Sequence, residues 1–410
     1  MHYFSGALRR FRHRHISART IRSFCDLLDR YKFNLEKYRV LNYDLARLPA
    51  KPEAFARHYL AHGAPEGRCL TFDCDFADVA KFYAQRHRIN RGVARQFLRS
   101  LVASCVEKVG NIGAAPPEEI DHLLDLQRFG FRPFFSAGDS NVAAYALPYY
   151  VMHDLLPLSL VCAGGSARGL VNPNSRGQFG NTIHKVIALL NDRLQQPLTA
   201  IFCFGQVDVQ FVMYYKIIES EPATSISSAM IDAFSRETNA LYFSFLEGIK
   251  QYKMIRPCVA AIFPPSLSDA AIRSGYINAS IASLNSSLPI EQLRERVLKF
   301  DFPDLPTRTR IHDDFNRILE EMCRQHSIPH IDVGRQLRGP DGLVAEKYML
   351  LPPGVDHHLN YNSFKKELLA AVEPIVGNRF KKDKHAKPRF SGRYRAALPR
   401  ARAGETASSG

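Results

Sequence analysis

The chain has 410 residues, is 46% hydrophobic and carries a net charge of +15, so it holds enough apolar material for a sizeable core and enough length for two domains. Its longest apolar stretches, 155–163 and 198–204, fall far short of the roughly 20 residues a membrane helix needs, and no transmembrane span is expected. The charge sits at the ends: residues 1–40 hold ten Lys/Arg against three Asp/Glu and residues 378–410 ten against two, leaving 41–377 neutral, which disfavours a nucleic-acid-binding fold with a basic stripe on its folded surface.

The chain opens on Met-His-Tyr-Phe and soon reaches Arg9, Arg10, Arg12 and Arg14 without an apolar run before a cleavage site. A secretory leader is therefore not expected, and a cytoplasmic location is. The basic ends are either solvated tails or contacts to an anionic surface, such as the periphery of the inner membrane. Eight cysteines without a Cys-x-x-Cys pair read as reduced thiols, and no metal site is expected from them.

Up to about residue 125 the pattern is helical, with apolar residues at spacings of three and four in Ile21, Phe24, Cys25, Leu28 and again in Val79, Phe82, Tyr83. The loop 110–117 interrupts it, and Pro117-Glu118-Glu119 opens a further short helix with acids in its first turn. The expected divisions are a helical module over 1–125, an α/β domain over 126–377 and a basic, disordered tail over 378–410. Within the module, Phe33 to Tyr38, then Leu41-Asn42-Tyr43-Asp44-Leu45, His58 to Gly63 and Glu66-Gly67-Arg68 resemble a short helical unit found beside glycosyltransferases in bacterial polysaccharide biosynthesis. Tyr38 and Tyr59 are expected to pack two short helices together, and Gly63 to cap one. A plain helical hairpin explains the same residues.

From Phe131 onward, short apolar runs alternate with amphipathic ones. Strands are expected over 131–137, 158–163, 200–204, 258–263 and 330–333, with helices over 182–194, 227–252 and 311–326. Alternation of this kind gives a three-layer α/β/α sandwich on a mostly parallel five-stranded sheet, preceded here by the small helical domain.

The first strand runs into Gly138-Asp139-Ser140-Asn141, which places a serine hydroxyl at the carboxyl end of a strand, where doubly wound sheets bind their ligands. Gly-Asp-Ser alone also makes ordinary turns. Three later blocks fall in order: Gly164-Gly165-Ser166-Ala167-Arg168-Gly169 with Asn172 after the second strand, Gly205-Gln206-Val207-Asp208 after the third, and Asp356-His357-His358-Leu359-Asn360 near the end. Together they resemble the four blocks of the SGNH (GDSL-type) hydrolases and acyltransferases.

That resemblance implies Ser140 as nucleophile, His358 as general base and Asp356 as the acid that orients it. It implies an oxyanion site at the Ser140 and Gly169 N–H groups, with Gly205, Gln206, Asp208 and Asn172 as further binding candidates. Two positions depart from the pattern. Val207 stands where the family has a donor asparagine, a loss of about 3 kcal/mol of transition-state stabilisation for such a group. Val355 stands where the acid of Asp-x-x-His belongs, with Asp356 one residue nearer, and His357 is an alternative base. Adjacent histidines do not suit one zinc ion. Asp332 reads as a turn residue, and Arg308 and Arg310, ahead of the helix at 311, as surface cover, with binding of an anionic group as the alternative. The resemblance implies an O-acetyl esterase or O-acetyltransferase acting on a carbohydrate, with no cofactor beyond acetyl-CoA as a donor. A degenerate, non-catalytic carbohydrate-binding or assembly protein is the other reading.

Overall fold

Five strands, Arg132–Gly138 (β1), Leu155–Val161 (β2), Leu198–Cys203 (β3), Ile255–Ala260 (β4) and His330–Ile331 (β5), pair in the order β2-β1-β3-β4-β5 in the computed structural model of the chain. Residues 16–42, 51–66, 68–85, 87, 89–220, 224–274 and 288–377 are described; the basic runs at both ends, Tyr43, Asp44, Leu45 and Gly67 lie outside them. All four pairings are parallel, so the sheet is parallel throughout. The strand bounds differ from the expected ones by up to three residues, with pairing beginning three residues before the expected starts, at Leu155 and Ile255.

Successive side chains on a strand point to opposite faces, and the core divides accordingly. Phe135, Leu158, Ala200 and Phe202 face one cluster, with Ile183, Tyr242, Phe245, Phe315 and Leu319 of the helices Phe179–Arg193, Ser228–Ile249 and Leu305–Gln325. Phe134, Ile201, Cys203 and Cys258 face the other, with Tyr150, Leu368 and Val372. Burial on both faces explains why these strands read as continuous apolar runs without alternation.

The first cluster also takes in Phe24, Tyr38, Tyr59 and Phe97, so the N-terminal helices share a core with the sheet. An ion-pair node reinforces this packing. Arg95 Nη2 and Arg99 Nε meet Asp154 Oδ1 at 2.8 and 2.7 Å, just before β2. Burial pushes the Asp154 carboxyl up, and the two guanidinium groups outweigh that and hold it below the usual carboxylate range. Tyr38 and Tyr59 are both fully buried, with ring centroids 6.4 Å apart. Gly63 serves space instead of a left-handed cap: a Cβ there would lie 2.5 Å from Tyr59 Cδ2.

One helix begins earlier than its apolar pattern. Asp304 accepts a hydrogen bond from Thr307 N and starts Leu305–Gln325, with Pro306 in its first turn. Arg308 is thereby inside the helix and buried, donating to Asp269 Oδ1 at 2.6 Å and to the Pro303 carbonyl, which corrects its reading as surface cover. Arg310 remains exposed and donates to Thr307 Oγ1. Asp332 makes the expected turn, accepting from Gly334 N at 2.7 Å. Among the described residues, no helix is long and apolar enough to cross a membrane.

Candidate active site

The strand order reverses direction between β1 and β3, and their carboxyl ends form the crevice where a sheet of this order binds ligands. Gly138 closes β1 against Cys203 of β3, and a Cβ on it would lie 2.3 Å from the Cys203 carbonyl oxygen. Asp139 then caps the turn Ser140–Tyr145, its Oδ1 accepting from Asn141 N at 2.8 Å. Ser140 thus opens the turn, where its own N–H has no intrahelical acceptor.

The segment 349–359 brings the other two groups to it. Its base is closed by an antiparallel bridge between Met349 and Leu359 and by Asn360 N donating to the Tyr348 carbonyl at 2.8 Å. Its far side is held by Ser268 N on the Gly354 carbonyl at 2.9 Å and by Ser266 Oγ on the Asp356 carbonyl at 2.8 Å. Asp356 Oδ1 turns back to accept both the backbone N–H and ring Nδ1 of His358, each at 2.8 Å. His358 Nε2 lies 2.7 Å from Ser140 Oγ. A carboxylate accepts only, so the imidazole proton is assigned to Nδ1 and Nε2 accepts the Ser140 hydroxyl.

The one-residue offset from Asp-x-x-His is therefore spanned by a local Asx-type turn. Val355, at the family's acid position, is 52% exposed. Partial burial pushes the Asp356 carboxyl up, but the N–H and imidazole of His358 hold it below its ordinary range. His357 takes a different place. Its ring meets Phe211 edge-on at 5.6 Å and lies 3.8 Å from the ring of His358, and burial lowers its pKa to about 4. The ligand atoms of Asp356, His357 and His358 lie within 4.8 Å of one another. Both nitrogens of His358 are already engaged, so an ion there would have to break the contact with Asp356 or with Ser140.

Most polar groups of the other candidates are occupied within the protein. Gly169 N donates to Ser166, with the Oγ at 3.0 Å and the carbonyl at 3.1 Å. Asp208 is fully buried and binds the same loop from below, accepting from Ala167 N at 2.6 Å and Arg168 N at 3.3 Å. Burial raises its pKa to about 6 in spite of those donors. It is an anchor of the loop, not a lining group. Gln206 is likewise an anchor, its amide paired with both backbone groups of Phe263 at 2.8 and 3.2 Å. Gly205 turns the chain at φ +115°, and a Cβ would lie 2.8 Å from the Phe315 ring. Asn172 is exposed and accepts from Asn174 N within its own turn. Val207 packs part-buried against the core.

One further residue, Tyr361, belongs to the site and carried no sequence signal. Tyr361 donates to Asn141 Oδ1 at 2.9 Å, and Asn141 Nδ2 donates to Asp139 Oδ1 at 2.9 Å. Asp139 is fully buried, which raises its pKa to about 6 against the donors from Asn141.

No family model matches this chain. No curated protein matches it. Among solved structures it is similar to an acylhydrolase of Bacteroides fragilis NCTC 9343, at 12% identity over 60% of this chain and 88% of that one, TM-score 0.35. It is similar to a GDSL-like lipase of Bacteroides thetaiotaomicron VPI-5482, at 12% identity over 60% and 87% of the two chains, TM-score 0.35. A third likeness is to a protein described as a platelet activating factor from Streptococcus pneumonia, at 12% identity over 70% and 100%, TM-score 0.35. Likenesses at this level carry no weight for the chemistry, which is read from the site's own atoms.

Proposed function

We propose that this protein is a serine-dependent acyl-transfer enzyme. The observation that carries the reading is the continuous relay from Ser140 Oγ to His358 Nε2 at 2.7 Å and from His358 Nδ1 to Asp356 Oδ1 at 2.8 Å. In this reading Ser140 attacks an ester carbonyl, its proton passes to His358, and the carbonyl electron pair moves onto oxygen near the Ser140 N–H. Collapse of that intermediate breaks the ester bond, and the departing alkoxide takes the proton from His358. Water or a hydroxyl acceptor then attacks the acyl-serine with His358 again as base, which gives an esterase in the first case and a transferase in the second.

The substrate we propose is an O-acylated carbohydrate, with acetyl as the acyl group and acetyl-CoA as donor if the acceptor is a sugar. Support comes from the resemblance of the segment 33–68 to a unit of polysaccharide-synthesis proteins. A cytoplasmic location, with the basic ends touching an anionic membrane, completes the proposal. A second reading, a non-catalytic carbohydrate-binding or assembly protein, is favoured by Val207 and by the engagement of Gly169 N–H and the Gln206 amide within the protein.

A fluorophosphonate probe separates the two. Labelling of the wild type that disappears in Ser140→Ala is the expected result; no labelling of either leaves the binding reading.

A further inference from the structure

The two halves of the triad come from sequence positions more than 200 residues apart, and a further side-chain hydrogen bond joins them. Tyr361 follows His358 by three residues, and its hydroxyl donates to Asn141, the residue directly after Ser140. Asn141 is held on both sides. Asp139 Oδ1 accepts its N–H and its Nδ2, so the amide oxygen must face Tyr361, and the phenol must be the donor.

The ring of Tyr361 is equally well fixed. It lies 5.8 Å from Phe263 and 6.1 Å from Phe364. Phe263 is bound through its backbone to Gln206 and accepts from His312 Nδ1 at 2.9 Å. A chain of short contacts thus runs from the buried layer to the turn that presents the nucleophile.

We propose that Tyr361 is a positioning residue: through Asn141 it sets the spacing between the Ser140 turn and the segment bearing His358. The proposal rests on the reading of Ser140 and His358 as the reacting pair. Its hydroxyl bonds to Asn141 and so acts on Ser140 at one remove. Misplacement of a reacting group by about 1 Å costs on the order of 100-fold in rate, and loss of one tether is a fraction of that displacement.

The test is Tyr361→Phe, which removes the hydroxyl and keeps the ring packing. The rate of fluorophosphonate inactivation should fall about tenfold while KM for a p-nitrophenyl ester stays unchanged, and the ring 15N resonances of His358 should shift. On an Asn141→Ala background the same change should add no further loss, because both act through one contact. Tyr59→Phe, which removes a buried hydroxyl away from the site, bonded to the Arg68 carbonyl, should lower stability without moving either readout. A wild-type rate and unmoved His358 resonances in Tyr361→Phe, or losses that multiply with Asn141→Ala, would overturn the proposal. If the wild type is not labelled at all, the catalytic reading fails separately, and the His358 resonances still decide whether Tyr361 positions that ring.

Discussion

The loops 349–359 and 163–175 use their polar groups in different ways. In the first, the backbone is fixed from outside by Ser266 and Ser268, which leaves Asp356 and His358 free to point at the serine. In the second, Asp208 anchors the backbone at Ala167 and Arg168, while within the loop the Gly169 N–H is taken up by Ser166 and the Asn172 side chain by Asn174 N. The comparison teaches that orienting a functional group takes a support that is not the group itself. A loop that satisfies its own side chains consumes the donors it would otherwise offer.

The largest expected effect lies in the externally supported loop. Asp356→Asn should lower kcat about 10⁴-fold, by removing the acceptor that fixes the His358 tautomer. Moving the acid to the family's position in the double variant Val355→Asp, Asp356→Ala should not restore it, because the side chain at 355 points to solvent. Recovery of more than a tenth of wild-type kcat would show that the turn at Asp356 is incidental.

Next in size is the acid sensitivity of the buried groups His312, Asp139 and Asp208. Burial lowers His312 to about pKa 3, while the unfolded chain titrates near 6.5. Between those values the unfolded state binds a proton that the folded state refuses, so stability is lost as pH falls from about 6.5, by up to about 1.4 kcal/mol per pH unit. Asp139 and Asp208, both raised to about 6, act in the opposite sense, gaining stability as pH falls from 6 towards 4. Urea unfolding at pH 6.5 and 4.5 should therefore show His312→Asn shifted towards acid stability relative to the wild type, and an unchanged difference between the two pH values would refute a neutral buried imidazole.

Smaller again is the anchor between the loops. Gln206→Leu strips the partner from the Phe263 N–H and leaves its carbonyl with His312 Nδ1 alone, and should cost about 1–3 kcal/mol in denaturant unfolding. A larger loss of kcat than of stability would return Gln206 to the reacting groups.

The sheet was legible because its strands are buried on both faces and its helices are amphipathic, and Ser140 because a Gly-Asp-Ser turn follows a strand. The fate of each polar group was not. Whether Asp356 reaches His358 depends on a side-chain turn within two residues, and spacing counts made it look misplaced. Gln206, Asp208 and Arg308 were read by type and position, but their partners are Phe263, Ala167 and Asp269, at separations of 57, 41 and 39 residues. Tyr361 was missed for the same reason, since its partner Asn141 lies 220 residues away. Tertiary pairing decides whether a polar side chain is an anchor or a reagent, and it leaves no local trace.

The smallest effect tests the self-satisfied loop directly. Ser166→Ala removes the Oγ acceptor of the Gly169 N–H but leaves the Ser166 carbonyl at 3.1 Å, so the N–H changes one of two acceptors and keeps the other. If that N–H takes no part in the reaction, kcat should change by less than about threefold, under 1 kcal/mol. If instead it must leave Ser166 to meet the oxyanion, removing a competing acceptor lowers the cost of that exchange, and kcat should rise while KM stays constant. A rise would mean that the two loops differ in the resting state alone, with the second reorganised once an acyl group is bound; no change would leave Ser140 N–H as the donor on which the proposed chemistry depends.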